Sequence, residues 1–266
     1  MQTSKYTLAD KGDIYIQIRA LLRDGNRVLF FGLPCEVHGL VLFLGKEYEQ
    51  LYCIDFICQG SASNVMWNDF LDPIIKKYKC IPVSVNLRKQ ISNKWIPQWI
   101  DIAFQNGKHY ISSFYATVFG YLFHIQIRNE CRYCSHISKR YSDMTLGDHH
   151  GARPSDHLYS AFGMSIAVIN TDKGNYLINS NLNSLFLEEY SYKKAVEDNP
   201  RLGSSVNWYC DSERDYLLTK YKRYGEKTFY MSLGIKGKLL YKLPQPIKNA
   251  VIKVRQNINI KRYGRG

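Results

Sequence analysis

The chain has 266 residues, a formal net charge of +13 and 45% hydrophobic residues. That length suits one large domain or a domain with an appendage, and the apolar content builds a core without a disulfide scaffold. No stretch approaches the roughly 18 uncharged apolar residues of a membrane span, and the N-terminus, MQTSKYTLADKGDIY, has no apolar signal region, so a cytoplasmic chain with seven reduced cysteines is expected.

Asp13 to Arg23 reads as an amphipathic helix with Ile14, Ile18, Leu21 and Leu22 on one face, stopped by Asp24-Gly25. Arg27 to Phe31 then reads as a short buried strand, Gly32 to Cys35 as a turn, and Glu36 to Leu44 as a helix with Val37, Leu40, Val41 and Leu44 inward. Leu51 to Ile57 is a second buried strand. After the loop Cys58-Gln59-Gly60-Ser61, Ser61 or Ser63 caps a helix whose apolar face includes Val65, Phe70, Ile74 and Ile75.

A strand, a helix and a strand in this order imply a parallel pair with a right-handed crossover. Parallel neighbours present their carboxyl ends on one edge. Cys35 and Cys58 each follow a strand, so both fall on that edge, where open α/β sheets place their ligands.

Further on, Val83 to Arg88 reads as a strand. Ile100 to Phe104 and His109 to Ser113 flank Asn106-Gly107, a strong hairpin signal. Tyr115 to Arg128 is a candidate helix. The polar stretch from Arg128 to Asp156 holds one short strand, Met144 to Leu146. Gly163 to Asn170 reads as a buried strand, and Thr171 caps a helix through Ile178. The fold class expected is α/β: an open, mixed, partly parallel sheet with flanking helices and a basic helical C-terminal appendage. The domains expected are 1–198 and a basic extension, 199–266. From Arg201 to Gly266 there are 15 Lys and Arg against 4 Asp and Glu, a net +11. Such a tail is a solvated surface, or it docks on an acidic partner or an anionic membrane surface. No motif points to a specific nucleic acid.

Cys131-x-x-Cys134 offers two thiolates from one loop. With Cys35 and Cys58 on the sheet edge, a four-thiolate site becomes available, suited to Zn²⁺ or an iron–sulfur cluster. Arg128, Arg132, Lys139 and Arg140 lie nearby in sequence and favour thiolates. The plain alternative is four ordinary buried cysteines. Cys53, mid-strand, reads as core, and Cys80 and Cys210 as structural. Asp148 reads as a turn cap, His38 as a packed or exposed helix residue, and Asp55 as a hydrogen-bonded structural acid. His149 and His150 are adjacent, so in a strand they face opposite ways.

Several segments resemble the coenzyme F420 hydrogenase/dehydrogenase beta-subunit family. VLFFGLPCEVHGL is similar to that family's VLF-x-G-T-P-C-Q-x-x-G-L, and CIDFICQGSAS to its V-D-L-I-C-H-G-V-P-S. RNECRYCSHISKRYSDMTLGDHHG resembles its C-x-x-C segment followed by R-x-S-D-I-T-x-G-D-F-W-G. GMSIAVINTDKG resembles G-x-S-x-x-x-x-N-T-x-x-G. The order and spacing also match, over roughly Ser4 to Gly174. The resemblance implies an iron–sulfur oxidoreductase in which Cys35, Cys58, Cys131 and Cys134 hold a 4Fe-4S cluster. It implies FAD close by, with Gly32, Pro34, Gly60, Gly147 and Asp148 shaping the cofactor edge. Leu33, Glu36, Gln59 and His149-His150 replace the family's Thr, Gln, His and Phe-Trp. The family's N-terminal ferredoxin-like segment and Ser/Gly-rich flavin-contacting stretch have no counterpart in this sequence. The chain therefore reads as a truncated relative or a separately encoded C-terminal half. Its partner is then an electron-transfer protein or a ferredoxin-like, flavin-binding chain. The alternative is a non-catalytic relative, an accessory or interaction protein of the kind found in surface polysaccharide biosynthesis.

Overall fold

The structure, a computed structural model, describes residues 6–91, 98–114, 117–205 and 209–225, with 227, 228, 243 and 247. Its elements in chain order are α1 (Ile14–Arg23), β1 (Val28–Gly32), α2 (Pro34–Leu44), β2 (Leu51–Phe56), α3 (Asn64–Tyr78), β3 (Pro82–Lys89), β4 (Trp99–Phe104), β5 (His109–Ser113), α4 (Val118–Leu122), α5 (Asn129–Arg132), β6 (Met144–Asp148), β7 (Ser165–Ile169), α6 (Asp172–Asn179), α7 (Tyr192–Asp198) and α8 (Asp211–Tyr224). They fall into two compact units. One is Ala9–Gln59 with Asn129–Val206; the other is Met1–Leu8, Gly60–Arg128 and Asn207–Gly266.

The first unit is an open four-stranded sheet in the order β1-β2-β6-β7. β1 and β2 are parallel, with Phe30 opposite Cys53 and Gly32 opposite Asp55. β2 and β6 are also parallel, and β7 closes the edge antiparallel to β6. The expected mixed, partly parallel sheet is the one observed. α1 forms because Ile18 and Leu22 recur four apart and bury together. Leu21 lies about a hundred degrees round the helix from Leu22 and stays exposed. α2 buries Val37, Leu40 and Leu44 and ends on Gly45 at φ +68. These side chains pack with Phe30, Leu51 and Cys53 on one face of the sheet. Each fully buried aliphatic side chain there stabilises the fold by about 1.5–3 kcal/mol.

The expectation of wholly buried strands needs correction for β1 and β7. In β1, Leu29 and Phe31 are each 50% exposed, because α1 and α2 cover only the face that carries Phe30. β7 is an edge strand and buries only Ile166 fully.

The second unit carries an antiparallel sheet in the order β3-β4-β5. Gly107 turns the β4–β5 hairpin at φ +75, in the left-handed region where glycine meets no steric penalty. The Ser63 side chain caps α3 by accepting from the Val65 backbone N–H at 3.2 Å. That start puts Met66, Phe70 and Ile74 inward and leaves Val65 exposed, against expectation. The long helix expected from Tyr115 to Arg128 is not formed. Residues 115 and 116 lie outside the described residues. Beyond them Thr117 caps only a short α4, accepting from Gly120 N–H at 3.0 Å. The chain then turns at Phe123, and Ile127 bridges back to Ala62. α8 lays Leu217, Leu218 and Tyr221 on this unit's core. The rest of the basic extension falls largely outside the described residues, as do Ser4 and Lys5.

Candidate cysteine site

β1 delivers the chain into α2 two residues sooner than the sequence suggested. Pro34 is the first helical residue, where its fixed φ suits the turn and its missing N–H costs nothing. Cys35 therefore sits in the first turn of α2 and is exposed. Leu33, where the resemblance has Thr, supplies no side-chain cap. Glu36 serves the helix start instead: its carboxylate accepts from the Leu33 backbone N–H at 2.8 Å and pairs with Lys11 at 2.8 Å.

Cys58 follows the end of β2 by two residues and is half-buried. Between them, the Ile57 N–H donates to Leu146 O at 2.8 Å, which extends the β2–β6 pairing to the edge. Cys131 lies in α5 and Cys134 just before a 3-10 turn over Ser135–Ile137; both are half-buried. The Cys35 thiol is pushed up by loss of water, then by Glu36, Cys134 and Cys131.

A residue outside every expectation joins them. Arg201 is 1% exposed. Its Nε donates to the Cys58 carbonyl at 3.1 Å and its Nη2 to the Cys131 carbonyl at 3.0 Å. Burial pulls its guanidinium below its ordinary value, opposed by Cys58, Cys134 and Cys131. Arg201 thus ties the Cys58 segment to the Cys131 segment. The sequence counted Arg201 as part of the basic tail, and no local motif marked it.

Among the described residues, no three His, Cys, Asp or Glu side chains gather to hold a single metal ion. In a four-iron cluster each cysteine ligates the cluster body rather than a shared ion. Soft sulfur donors and a buried cation beside them match that chemistry.

The other expected edge residues are locally well defined. Gly32 approaches the Phe30 ring: a Cβ there would lie 2.7 Å from it. A Cβ on Gly147 would lie 2.4 Å from Ile57 Cδ1, so that face is filled by the chain's own side chain. Gly60 takes φ +96. Asp148 ends β6, and its carbonyl accepts from Asn199 Nδ2 at 3.1 Å.

Asp55 is fully buried and accepts from Arg140 Nη1 at 3.2 Å. Burial raises its carboxyl; Thr145, Arg140 and Ser142 oppose that. Of the four cations expected near the thiolates, Arg140 is thus engaged by Asp55 and by the Phe56 carbonyl. Cys53 is core, its thiol pushed up to about 12 by burial and by Asp143. His38 stacks on Tyr141 at 3.9 Å, with His136 at 4.9 Å. His149 is buried and His150 exposed, just beyond β6. The His149 ring meets Tyr190 edge-on at 4.6 Å.

In the same unit a groove of 2020 Å³ runs along β6 and β7, with Leu146, Ile166, Val168 and Phe186 among its lining. Arg140 and His149 stand in its wall. Arg140 Nε and Nη2 and His149 Nδ1 are buried without a hydrogen-bond partner.

The sequence profile for the C terminus of the coenzyme F420 hydrogenase/dehydrogenase beta subunit matches residues 25–194. No curated protein matches the chain. Among solved structures, one similar chain comes from the xenon-derivatised F420-reducing NiFe hydrogenase complex of Methanosarcina barkeri. The identity is 11% and the TM-score 0.40, over 78% of this chain and 74% of that one. No helix among the described residues is long and apolar enough to cross a membrane.

Proposed function

Because the chain belongs to the family defined by the C terminus of the coenzyme F420 hydrogenase/dehydrogenase beta subunit, we propose that it is an iron–sulfur redox component relaying electrons to or from a flavin or deazaflavin. Cys35, Cys58, Cys131 and Cys134 hold a 4Fe-4S cluster in this reading. The observation that carries it is the placement of Cys35 and Cys58 just beyond the ends of the paired parallel strands β1 and β2. The buried Arg201 lies against the Cys58 and Cys131 carbonyls, and thiolates there would offset its lost hydration.

Bound there, the cluster supplies one-electron storage at a potential tuned by charge and hydrogen bonds. The chain's own residues do the rest. β1 and β2 hold Cys35 and Cys58 on one rigid sheet edge, and α5 with its following loop presents Cys131 and Cys134. FAD, in this reading, meets the groove wall of Arg140 and His149, whose unpaired buried nitrogens suit a polar ligand. Gly32, Pro34, Gly147 and Asp148 shape the surrounding backbone. The donor or acceptor is a partner protein, such as a separately encoded ferredoxin-like or flavin-binding chain. The basic tail docks on an acidic partner or an anionic membrane surface.

Two observations favour a second reading, a non-catalytic accessory or interaction protein. Ile57 fills the face of Gly147, and Leu33, where the resemblance has Thr, gives α2 no side-chain cap.

Anaerobic purification with an absorbance spectrum and iron and sulfide analysis separates the two. A broad band in the visible and about four irons per chain support the cluster. A colourless, iron-free, stably folded protein rejects it, and zinc measured in that sample tests the other metal. Cys58→Ser loses the iron, and Cys80→Ser keeps it.

A further inference from the structure

Arg201 lies seven residues beyond the last residue matched by the family profile, 194. Its place in the structure is built, not incidental. It sits in a 3-10 turn over Pro200–Leu202. That turn is anchored on both sides. Asn199 is 2% exposed and donates from Nδ2 to the Asp148 carbonyl at 3.1 Å. Leu202 is buried against Ile166 and Ala195. The backbone N–H of Leu202 donates to Asn199 O at 2.8 Å, and that of Asn199 to Ala195 O at 2.9 Å. The guanidinium thus has little freedom to leave the two carbonyls it holds.

We infer that Arg201 is the positioning residue and counter-cation of the cysteine site, an inference that rests on the cluster reading above. Two features support it independently of the family. The planar fork spends one donor on each of two cysteine-bearing segments, 143 and 70 residues away in sequence. It thereby fixes the spacing between Cys58 and Cys131 from the backbone side. Second, it places a cation in a dehydrated position against the Cys58 and Cys131 backbone. Charge interactions there are stronger than at the surface. When one electron enters the site, no bond forms or breaks, and net negative charge rises by one. A fixed cation favours that state. Lysine keeps the charge but cannot hold both carbonyls with a planar fork. Glutamine loses the charge.

The test compares wild type, Arg201→Lys and Arg201→Gln after anaerobic reconstitution with iron and sulfide. Folding is checked by circular dichroism. Each cluster is then titrated with dithionite as the one-electron reductant and followed by absorbance. In Arg201→Gln the reduction equilibrium constant falls at least tenfold, a downward shift of about 59 mV in midpoint for one electron. Arg201→Lys lies between, and both variants lose iron to a chelator faster than wild type. A folded Arg201→Gln protein that takes up no iron also supports the positioning role. Should Arg201→Gln not fold, the midpoint of Arg201→Lys decides. Equal midpoints and equal retention overturn the role of Arg201 and leave the cluster reading intact. A wild type that takes up no iron overturns both.

Discussion

The Thr171 hydroxyl donates to the Asp143 carboxylate at 2.6 Å. Through that bond the end of β7 is tied to the start of β6. Asp143 also accepts from the Cys53 backbone N–H at 2.8 Å, so one carboxylate joins β2, β6 and the N-terminus of α6. Thr171 in turn accepts from the Gly174 backbone N–H at 3.2 Å as the helix cap. One residue earlier, Asn170 Nδ2 donates to Ser142 Oγ at 3.1 Å and Thr145 Oγ1 at 3.0 Å. Two of the segments that carry the family resemblance, YSDMTLGD and NTDKG, therefore lock to each other. Gly174 is part of the lock: a Cβ there would lie 2.1 Å from the Asp143 carbonyl.

Thr171→Val removes both the cap and the bond to Asp143 while keeping the shape. The expected loss is about 2 kcal/mol in urea unfolding. Asp143→Asn alone is also destabilising. Adding Thr171→Val to it costs less than on the wild-type background, because the two share one bond. Additive losses would remove the proposed coupling.

Arg140→Met leaves the Asp55 carboxyl buried without its cation. Breaking such a buried pair costs about 3–5 kcal/mol. The double variant Arg140→Met with Asp55→Asn recovers a large part of that, since the buried charge is gone. Thermal melts of the three variants check the order. A double variant no better than Arg140→Met contradicts it.

Asp101 links the β3–β4–β5 sheet by accepting from Lys89 Nζ and from His109 Nδ1 at 2.7 Å. Burial alone raises its carboxyl, but the bonds from Lys89 and His109 outweigh that and hold it below the ordinary carboxylate value. A depressed folded pKa contributes stability that is present above the unfolded pKa and is lost as pH falls through the folded one. Asp101→Asn should therefore cost about 2 kcal/mol near neutral pH. The gap to wild type should narrow in urea titrations repeated at about pH 3. A gap independent of pH would exclude this account.

Cys53 is 3% exposed, with a thiol pushed up to about 12 by burial. Since the thiolate is the nucleophile, Cys53 resists alkylation by iodoacetamide at about pH 8 in the folded protein. Exposed Cys210 reacts under the same conditions. Peptide mass spectrometry before and after urea reads the difference, and early labelling of Cys53 would show that its strand opens readily.

Legibility followed the range of the interactions. The β1–α2–β2 order and the Asn106-Gly107 hairpin were readable because each rests on a local pattern, a hydrophobic run or a turn residue. The helix expected from Tyr115 to Arg128 failed for a tertiary reason. Its apolar run supplies Val118, Phe119, Leu122, Phe123 and Ile125 to one core cluster, and a broken chain buries all five. The exposed face of β1 was equally hidden, since the number of helices on a sheet face is not written in the strand.

At the cysteine site the division is the same. The sequence by itself determined the chemistry available: four thiols, two from one C-x-x-C and two placed after parallel strands. Only the tertiary structure decided that Arg201 is the buried cation joining Cys58 and Cys131. Only it decided that Arg140, the cation nearer in sequence, serves Asp55 instead. The reason is physical. Helix and strand periodicity is set by neighbours a few residues away. The partner of a buried charge is set by which distant segment the folded chain brings within hydrogen-bond reach.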